Sequence, residues 1–216
     1  VFRRDPPEHR PLGQKWIMYE TEPPTKLWGP HLDYESDIWR AFNMTMTYTS
    51  DSTIPNNIYS QKCILNPDWI STNENFAKGK RKDVAWFVSN CETPSQREVY
   101  VKELQRHIDV DVFGSCGDID QCPRGSSPDS CIAKTINEYK FYLSFENSLC
   151  EEYYTEKLVR TLWSNVIPIV MGLNDYSTIL PPGSFIDVRN FSSPQRLAEF
   201  LREVSEDDEQ YNSFIE

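Results

Sequence analysis

The segment Tyr153-Tyr-Thr-Glu-Lys157 opens an apolar-periodic stretch, where a helix start would present free N–H groups and a partial positive charge. With the full charge of Lys157 added, that place suits a diphosphate. Arg97 holds the equivalent position in the first turn of an earlier helical stretch, just after Ser89-Asn90. Two cations and two helix starts thus point toward one anionic ligand, against the blander reading of Glu156 and Lys157 as a solvated first turn. There is neither a G-x-G-x-x-G loop nor a Walker pattern, which argues against NAD and ATP-hydrolysis chemistry. Asp109-Val-Asp111 and Asp118-Ile-Asp120 have a D-x-D shape that can hold a divalent metal, but an acidic chain produces such triplets by chance. The three histidines are scattered and no C-x-x-C pair occurs, so zinc-ligand spacing is missing.

Charge makes the anion pocket a local affair. The 216 residues include 33 acidic and 22 basic side chains, a net charge of −11 and a pI of about 4.8. A nucleic-acid partner needs a basic face, so none is expected. With 38% hydrophobic and 13% aromatic residues, a packed core is expected rather than disorder. The longest apolar candidate, Val166-Ile-Pro-Ile-Val-Met171, is far shorter than the roughly 20 residues of a membrane span, so this stretch of chain reads as soluble. The chain opens on Val1 rather than Met, and its last residues, Glu209 to Glu216, break off in a helical pattern. Both ends read as cut, which leaves an upstream targeting segment open.

The elements that must position these residues follow from the apolar periodicity. Strands are expected over 83–89, 109–113, 140–145, 166–171 and 184–188, alternating with helical stretches over 94–108, 132–138, 153–165, 175–180 and 194–204. Such alternation implies a parallel sheet with helices on both faces. Ligands bind outside the carboxyl ends of strands in such sheets, which selects the loops Ser89-Asn90-Cys91, Gly114 to Gly117, Glu146-Asn147-Ser148 and Gly172. The Pro-rich first 78 residues read as part of another α/β domain, with strands over 16–19 and 44–48 and a helical stretch over 34–42. Phe76 to Lys82, with its basic run, reads as a solvated linker. Cys63, Cys91, Cys116, Cys122, Cys131 and Cys150 form an even set that suits disulfides in an oxidising compartment, with buried free thiols as the alternative. The sequons at Asn43 and Asn190 lean the same way, toward a lumenal, glycosylated protein.

Phe141-Tyr-Leu-Ser-Phe-Glu-Asn-Ser148 followed by Tyr153-Tyr-Thr-Glu-Lys-Leu158 resembles the signature of the α1,3-fucosyltransferases, glycosyltransferase family 10. Further blocks resemble the family in the same order: Arg10 to Trp16, Glu22-Pro-Pro24, Phe42 to Tyr48 with Asp51-Ser52, Val88 to Cys91, and Leu180 to Ile186. The resemblance implies an α/β, GT-B type fold of two Rossmann-like domains. Residues 1–78 would be an incomplete acceptor-side domain and 79–216 a GDP-fucose-binding domain incomplete at its carboxyl end. It implies inverting transfer of L-fucose from GDP-fucose to the 3-hydroxyl of N-acetylglucosamine in an N-glycan or N-acetyllactosamine-type acceptor. No cofactor would be obligatory, with Mn2+ as a stimulant at most. The parent would be a type II membrane protein of the Golgi lumen, anchored outside this chain. By motif, Glu22 resembles the general base, with Glu20 as the neighbouring alternative. Ser89, Asn90 and Arg97 resemble the diphosphate-holding segment, Tyr153, Glu156 and Lys157 the donor contacts, and Glu146 and Asn147 the adjoining loop. Pro23 replaces a usual Ser and Pro94 a common basic residue. These departures motivate the alternative of a carbohydrate-binding relative without catalysis, beside that of a metal-dependent D-x-D glycosyltransferase.

Overall fold

The computed structural model describes residues 9–27, 37–56, 74–119, 122 and 128–216. Two parallel sheets organise them. In the amino-terminal one, β1 (Ile17–Tyr19), β2 (Met44–Thr47) and β3 (Ile54–Pro55) pair in that order. The short helix α1 (Pro24–Leu27) and a 3-10 turn over Asp37–Ala41 lie between the first two strands. Of the helical stretch expected over 34–42, the described part is this single turn.

The second sheet contains β4 (Lys82–Phe87), β5 (Val110–Phe113), β6 (Tyr139–Phe145), β7 (Ile167–Met171) and β8 (Ile186–Asp187). All pair in parallel, in the order β5-β4-β6-β7-β8. The helices α2 (Arg97–Leu104), α3 (Pro128–Ile136), α4 (Glu156–Val159), α5 (Pro194–Glu206) and α6 (Asp208–Ser213) connect or follow these strands. Parallel strands covered on both faces read as unbroken apolar runs, and every residue from Phe141 to Phe145 is buried. On one face Val84, Trp86, Phe141 and Leu143 pack against Val101 and Leu104 of α2 and Leu197 and Leu201 of α5. On the other, Ala85, Phe113 and Tyr142 meet Ile132 and Ile136 of α3. The chain leaves β4 for β5 on one side, then recrosses to β6 on the other, so the winding reverses between β4 and β6. In a doubly wound sheet that reversal opens a crevice at the carboxyl ends of the two strands.

The structure departs from the periodicity in two places. Between 153 and 165 only α4 is α-helical, continued by a 3-10 turn over Arg160–Trp163. Buried side chains claim the backbone before it: Glu146 accepts from the Thr155 N–H at 2.9 Å, and Asn174 donates to the Tyr153 carbonyl at 2.6 Å. These tertiary contacts outweigh local helical preference, so a four-residue helix contributes little dipole at its start. The segment 76–82 is only in part a solvated connector: Lys78, Gly79, Arg81 and Lys82 are exposed, but the rest is docked. Phe76 and Ala77 are buried in the main core, Lys80 Nζ donates to the carbonyls of Asn137 and Tyr139, and Lys82 opens β4.

Candidate active site

At the reversal of winding, a cleft of about 370 Å³ lies over the ends of β4 and β6. Ser89 and Asn90 line it from the loop after β4, and Asn147, Tyr153, Glu156 and Lys157 from the loop after β6 and the start of α4. Glu22 joins them from the segment that links β1 to α1. A single cleft thus collects all the residues expected to hold a donor except Glu146.

Arg97 is 2% exposed and stitches the two rim loops together. Its Nη1 donates to the Phe145 carbonyl at 2.6 Å and its Nη2 to the Asn90 carbonyl at 3.3 Å, while the guanidinium sits 5.7 Å from the Trp86 ring. Its Nε is buried with no partner. Burial lowers its pKa from the ordinary value, opposed by the carboxylates of Glu146 and Glu98.

Glu146 lies beneath the cleft at 1% exposure. It accepts from the Thr155 amide and hydroxyl and from Lys157 Nζ at 3.0 Å. Burial pushes its carboxyl upward, against the pull of Lys157. Lys157 also donates to Thr155 Oγ1 at 2.6 Å and stands 3.6 Å from Glu156. Burial raises the Glu156 carboxyl, but Lys157 and Arg160 outweigh it and hold the group below its usual value. Asn147 Oδ1 is buried without a partner in the wall of the cleft. An orphaned buried acceptor of this kind calls for a donor from a ligand or from water. The Tyr153 hydroxyl donates to Glu22 Oε2 at 3.4 Å, and its ring packs 5.2 Å from that of Tyr48. Burial, reinforced by the charges of Glu146 and Glu22, drives its pKa well above that of a free tyrosine, so it keeps its proton.

The neighbouring glutamate lines a second cavity, beside Glu22. Glu20 Oε1 accepts from the backbone N–H groups of Thr21 and Glu22, both at 2.9 Å, and it does not line the cleft. That second, largely apolar cavity of about 400 Å³ meets Glu22 from the side of the amino-terminal sheet, with Met18, Trp39, Phe42 and Tyr48 in its walls.

Two glycines let the rim close up. A Cβ at Gly114, whose φ is +89°, would lie 2.6 Å from the Val88 carbonyl oxygen, and one at Gly117 would lie 1.9 Å from that of Val112. The disulfide Cys91–Cys116 pins the same two loops together, and Cys122–Cys131 ties the next loop to α3. Cys150 has no disulfide among the described residues, and Cys63 lies outside them. Asn43 and Asn190 are both exposed. Pro94 is exposed and outside the cleft, while Pro23 is buried.

Sequence reasoning missed Thr155 and Arg160, both of which line the cleft. Thr155 stood inside the motif without a role, and Arg160 sits four residues after Glu156, a spacing that puts both on one helix face. The Asp109-Val-Asp111 triplet resolves differently: Asp111 accepts from Tyr139 Oη at 2.5 Å and from Lys82 Nζ at 3.0 Å, at the amino ends of the strands. Asp120 lies outside the described residues. Among the described residues, no group of three or more His, Cys, Asp or Glu is arranged to hold a metal, and no helix is long and apolar enough to cross a membrane.

A doubly wound parallel sheet with a cleft at its reversal of winding, lined also by a residue that follows the first strand of a second parallel sheet, fits a GT-B type fold. The likeness to solved structures supports that fold. A crystal structure of an alpha1,3-fucosyltransferase with GDP-fucose matches with a TM-score of 0.66 at 17% identity, over 95% of this chain and 67% of that one. Another, with GDP, matches with a TM-score of 0.53 at 23% identity, over 66% of this chain and 39% of that one. The family model "Glycosyltransferase family 10 (fucosyltransferase) C-term" matches residues 77–216, and "Fucosyltransferase, N-terminal" matches residues 2–59. The chain belongs to glycosyltransferase family 10, the fucosyltransferases. It is 45% identical over 183 residues to the glycoprotein 3-alpha-L-fucosyltransferase A of Drosophila melanogaster, covering 81% of this chain and 35% of that protein. It is 38% identical to the alpha-(1,3)-fucosyltransferase C of the same organism, over 98% of this chain and 52% of that protein. It is likewise 38% identical to the human 3-galactosyl-N-acetylglucosaminide 4-alpha-L-fucosyltransferase FUT3, over 98% of this chain and 56% of that protein. The chain therefore spans about a third to a little over half the length of these curated relatives.

Proposed function

We propose that this chain carries the donor site and general base of an inverting α1,3-fucosyltransferase, which moves L-fucose from GDP-fucose to the 3-hydroxyl of an N-acetylglucosamine in a glycan. The supporting observation is that one cleft is lined both by the cations Arg97, Lys157 and Arg160 and by Glu22, which comes from the amino-terminal part of the chain. In a single displacement Glu22 takes the proton of the acceptor hydroxyl as its oxygen attacks the anomeric carbon and the bond to GDP breaks. One carboxylate suffices, because no glycosyl-enzyme forms. The charge growing on the departing diphosphate is balanced by the cations of the cleft, which gives the chain a route that needs no obligatory metal. Ser89, Asn90, Asn147, Tyr153 and Glu156 contact the donor, and Glu146 acts from below by holding Lys157. Glu20, which lines the apolar cavity but not the cleft, has its Oε1 engaged by two backbone N–H groups, and this favours Glu22 as the base. The acceptor approaches Glu22 through the apolar cavity, whose aromatic walls suit the face of a sugar ring.

In the same reading, 1–78 belongs to the acceptor-side domain and 79–216 to the GDP-fucose-binding domain. The parent works in the Golgi lumen, anchored by a segment outside this chain. Two disulfides and two exposed sequons support an oxidising, glycosylating compartment.

Glu22→Gln in the complete protein tests the chemistry. Transfer should fall about a hundredfold or more while GDP affinity stays put, and the parent protein should keep its activity in EDTA. Retained transfer in the variant would move the base elsewhere. A loss in EDTA that Mn2+ restores would overturn the account of the leaving group.

A further inference from the structure

We propose that Glu152 is a positioning residue, clamping the amino-terminal sheet to the loop that carries the donor contacts and thereby setting Glu22 against the cleft. The inference rests on the reading of Glu22 as the base. Glu152 lies in the loop between β6 and α4 with φ +58°, the left-handed region that a residue with a long side chain seldom adopts. Such a conformation persists where surrounding contacts over-determine it. Here the contacts cross between the sheets. Glu152 Oε2 accepts from the Ser50 N–H and Oε1 from the Ser50 hydroxyl, each at 2.5 Å, although the two residues are 102 apart in sequence. Ser50 sits in the turn after β2, so one carboxylate satisfies both the backbone and the side-chain donor of that residue. Hydrogen bonds to an ionised acceptor are the stronger kind.

Other contacts of the same loop run parallel to it. Ser148 Oγ lies 2.8 Å from Thr25 Oγ1, and the Tyr153 ring packs on Tyr48. Tyr153, the next residue after Glu152, bonds to Glu22 and lines the cleft. The clamp therefore fixes the residue that holds the base, although Glu152 itself is exposed and does not line the cleft. A misplacement of about 1 Å between base and hydroxyl costs a large factor in rate.

The test uses the complete protein with Glu152→Gly, Glu152→Gln and Ser50→Ala, reading three quantities. These are amide hydrogen exchange across 47–53, GDP affinity, and kcat with a glycan acceptor. Glycine relieves the left-handed backbone, so a merely local role predicts an unchanged or firmer fold and unchanged kinetics. The clamp predicts faster exchange at Ser50 by about tenfold in both Glu152 variants, GDP affinity within about twofold of the parent, and kcat lowered about tenfold. Pairing Ser50→Ala with Glu152→Gly should add no further loss. Unchanged exchange at Ser50, or faster exchange with unchanged kcat, would overturn the clamp while leaving Glu22 as the base. A fall in GDP affinity equal to the fall in kcat would also overturn it, because the loop would then be supporting the donor cleft in general. Full transfer by Glu22→Gln would remove the reading of the base and this proposal together.

Discussion

Lys157 shares its ammonium with a carboxylate that solvent barely reaches, and this pairing decides how much of its charge a ligand can use. Removing one member of a buried pair strands the other, at a cost of about 3–5 kcal/mol. Lys157→Met should therefore unfold at a distinctly lower denaturant midpoint and also bind GDP at least about tenfold more weakly, as read by titration calorimetry. Glu146→Gln should be milder, since Lys157 keeps its bond to Thr155 and can turn toward the cleft. Undiminished GDP affinity in Lys157→Met would remove the lysine from the donor site. Residue type and motif made Lys157, Asn147 and Tyr153 legible as site residues. That Glu146 is a foundation was not legible, because a glutamate after a strand reads the same whether it faces a ligand or lies under it. Only its bonds to Thr155 and Lys157 tell the two apart.

At the scale of elements, the rim of the cleft is held by covalent and steric constraints on loops that have no regular structure. Cys91–Cys116 closes a separation of 25 residues between the loops after β4 and β5. Opening it by Cys116→Ser should cost about 2–4 kcal/mol, seen as a lower melting midpoint, and should weaken GDP binding because Ser89 and Asn90 lose their tether. A variant that melts lower yet binds GDP as before would confine the disulfide to stability. The strands were legible because β7 is an apolar run and β4 and β6 contain the shorter runs Val84 to Phe87 and Phe141 to Leu143, and α5 because its apolar residues recur at helical spacing between Ser193, whose hydroxyl caps the helix, and Asp207. The expected helix over 153–165 was not. Its periodicity is real, but the polar atoms that hold its first residues extended come from Glu146 and Asn174, which no local window contains.

For the whole molecule, the five-stranded sheet and its parallel sense followed from the alternation of apolar runs, while the parallel pairing of the amino-terminal sheet and its third strand at Ile54–Pro55 did not. The order β5-β4-β6-β7-β8 and the contacts between the sheets depend on pairings far apart in sequence, which a single chain does not display. The docking of Phe76, Ala77 and Lys80 within the otherwise exposed run at 76–82 was not legible for the same reason. Burial lowers the Lys80 ammonium from 10.5 to about 8 while its Nζ bridges two carbonyls. A base depressed in the fold leaves the unfolded chain holding more protons between about pH 8 and 10.5, so this contribution makes stability rise with pH across that window. The difference in melting midpoint between the parent and Lys80→Met should move in the parent's favour on going from pH 8 to pH 10.5. A flat or opposite trend would show that the ammonium is not desolvated. With Phe76 and Ala77 sunk in the main core and Lys80 stapled to the start of β6, residues 76–80 ahead of β4 are masonry rather than rope. Widening the cleft by bending the chain at 76–80 would draw Phe76 and Ala77 out of the core of the five-stranded half, so that stretch cannot serve as a hinge.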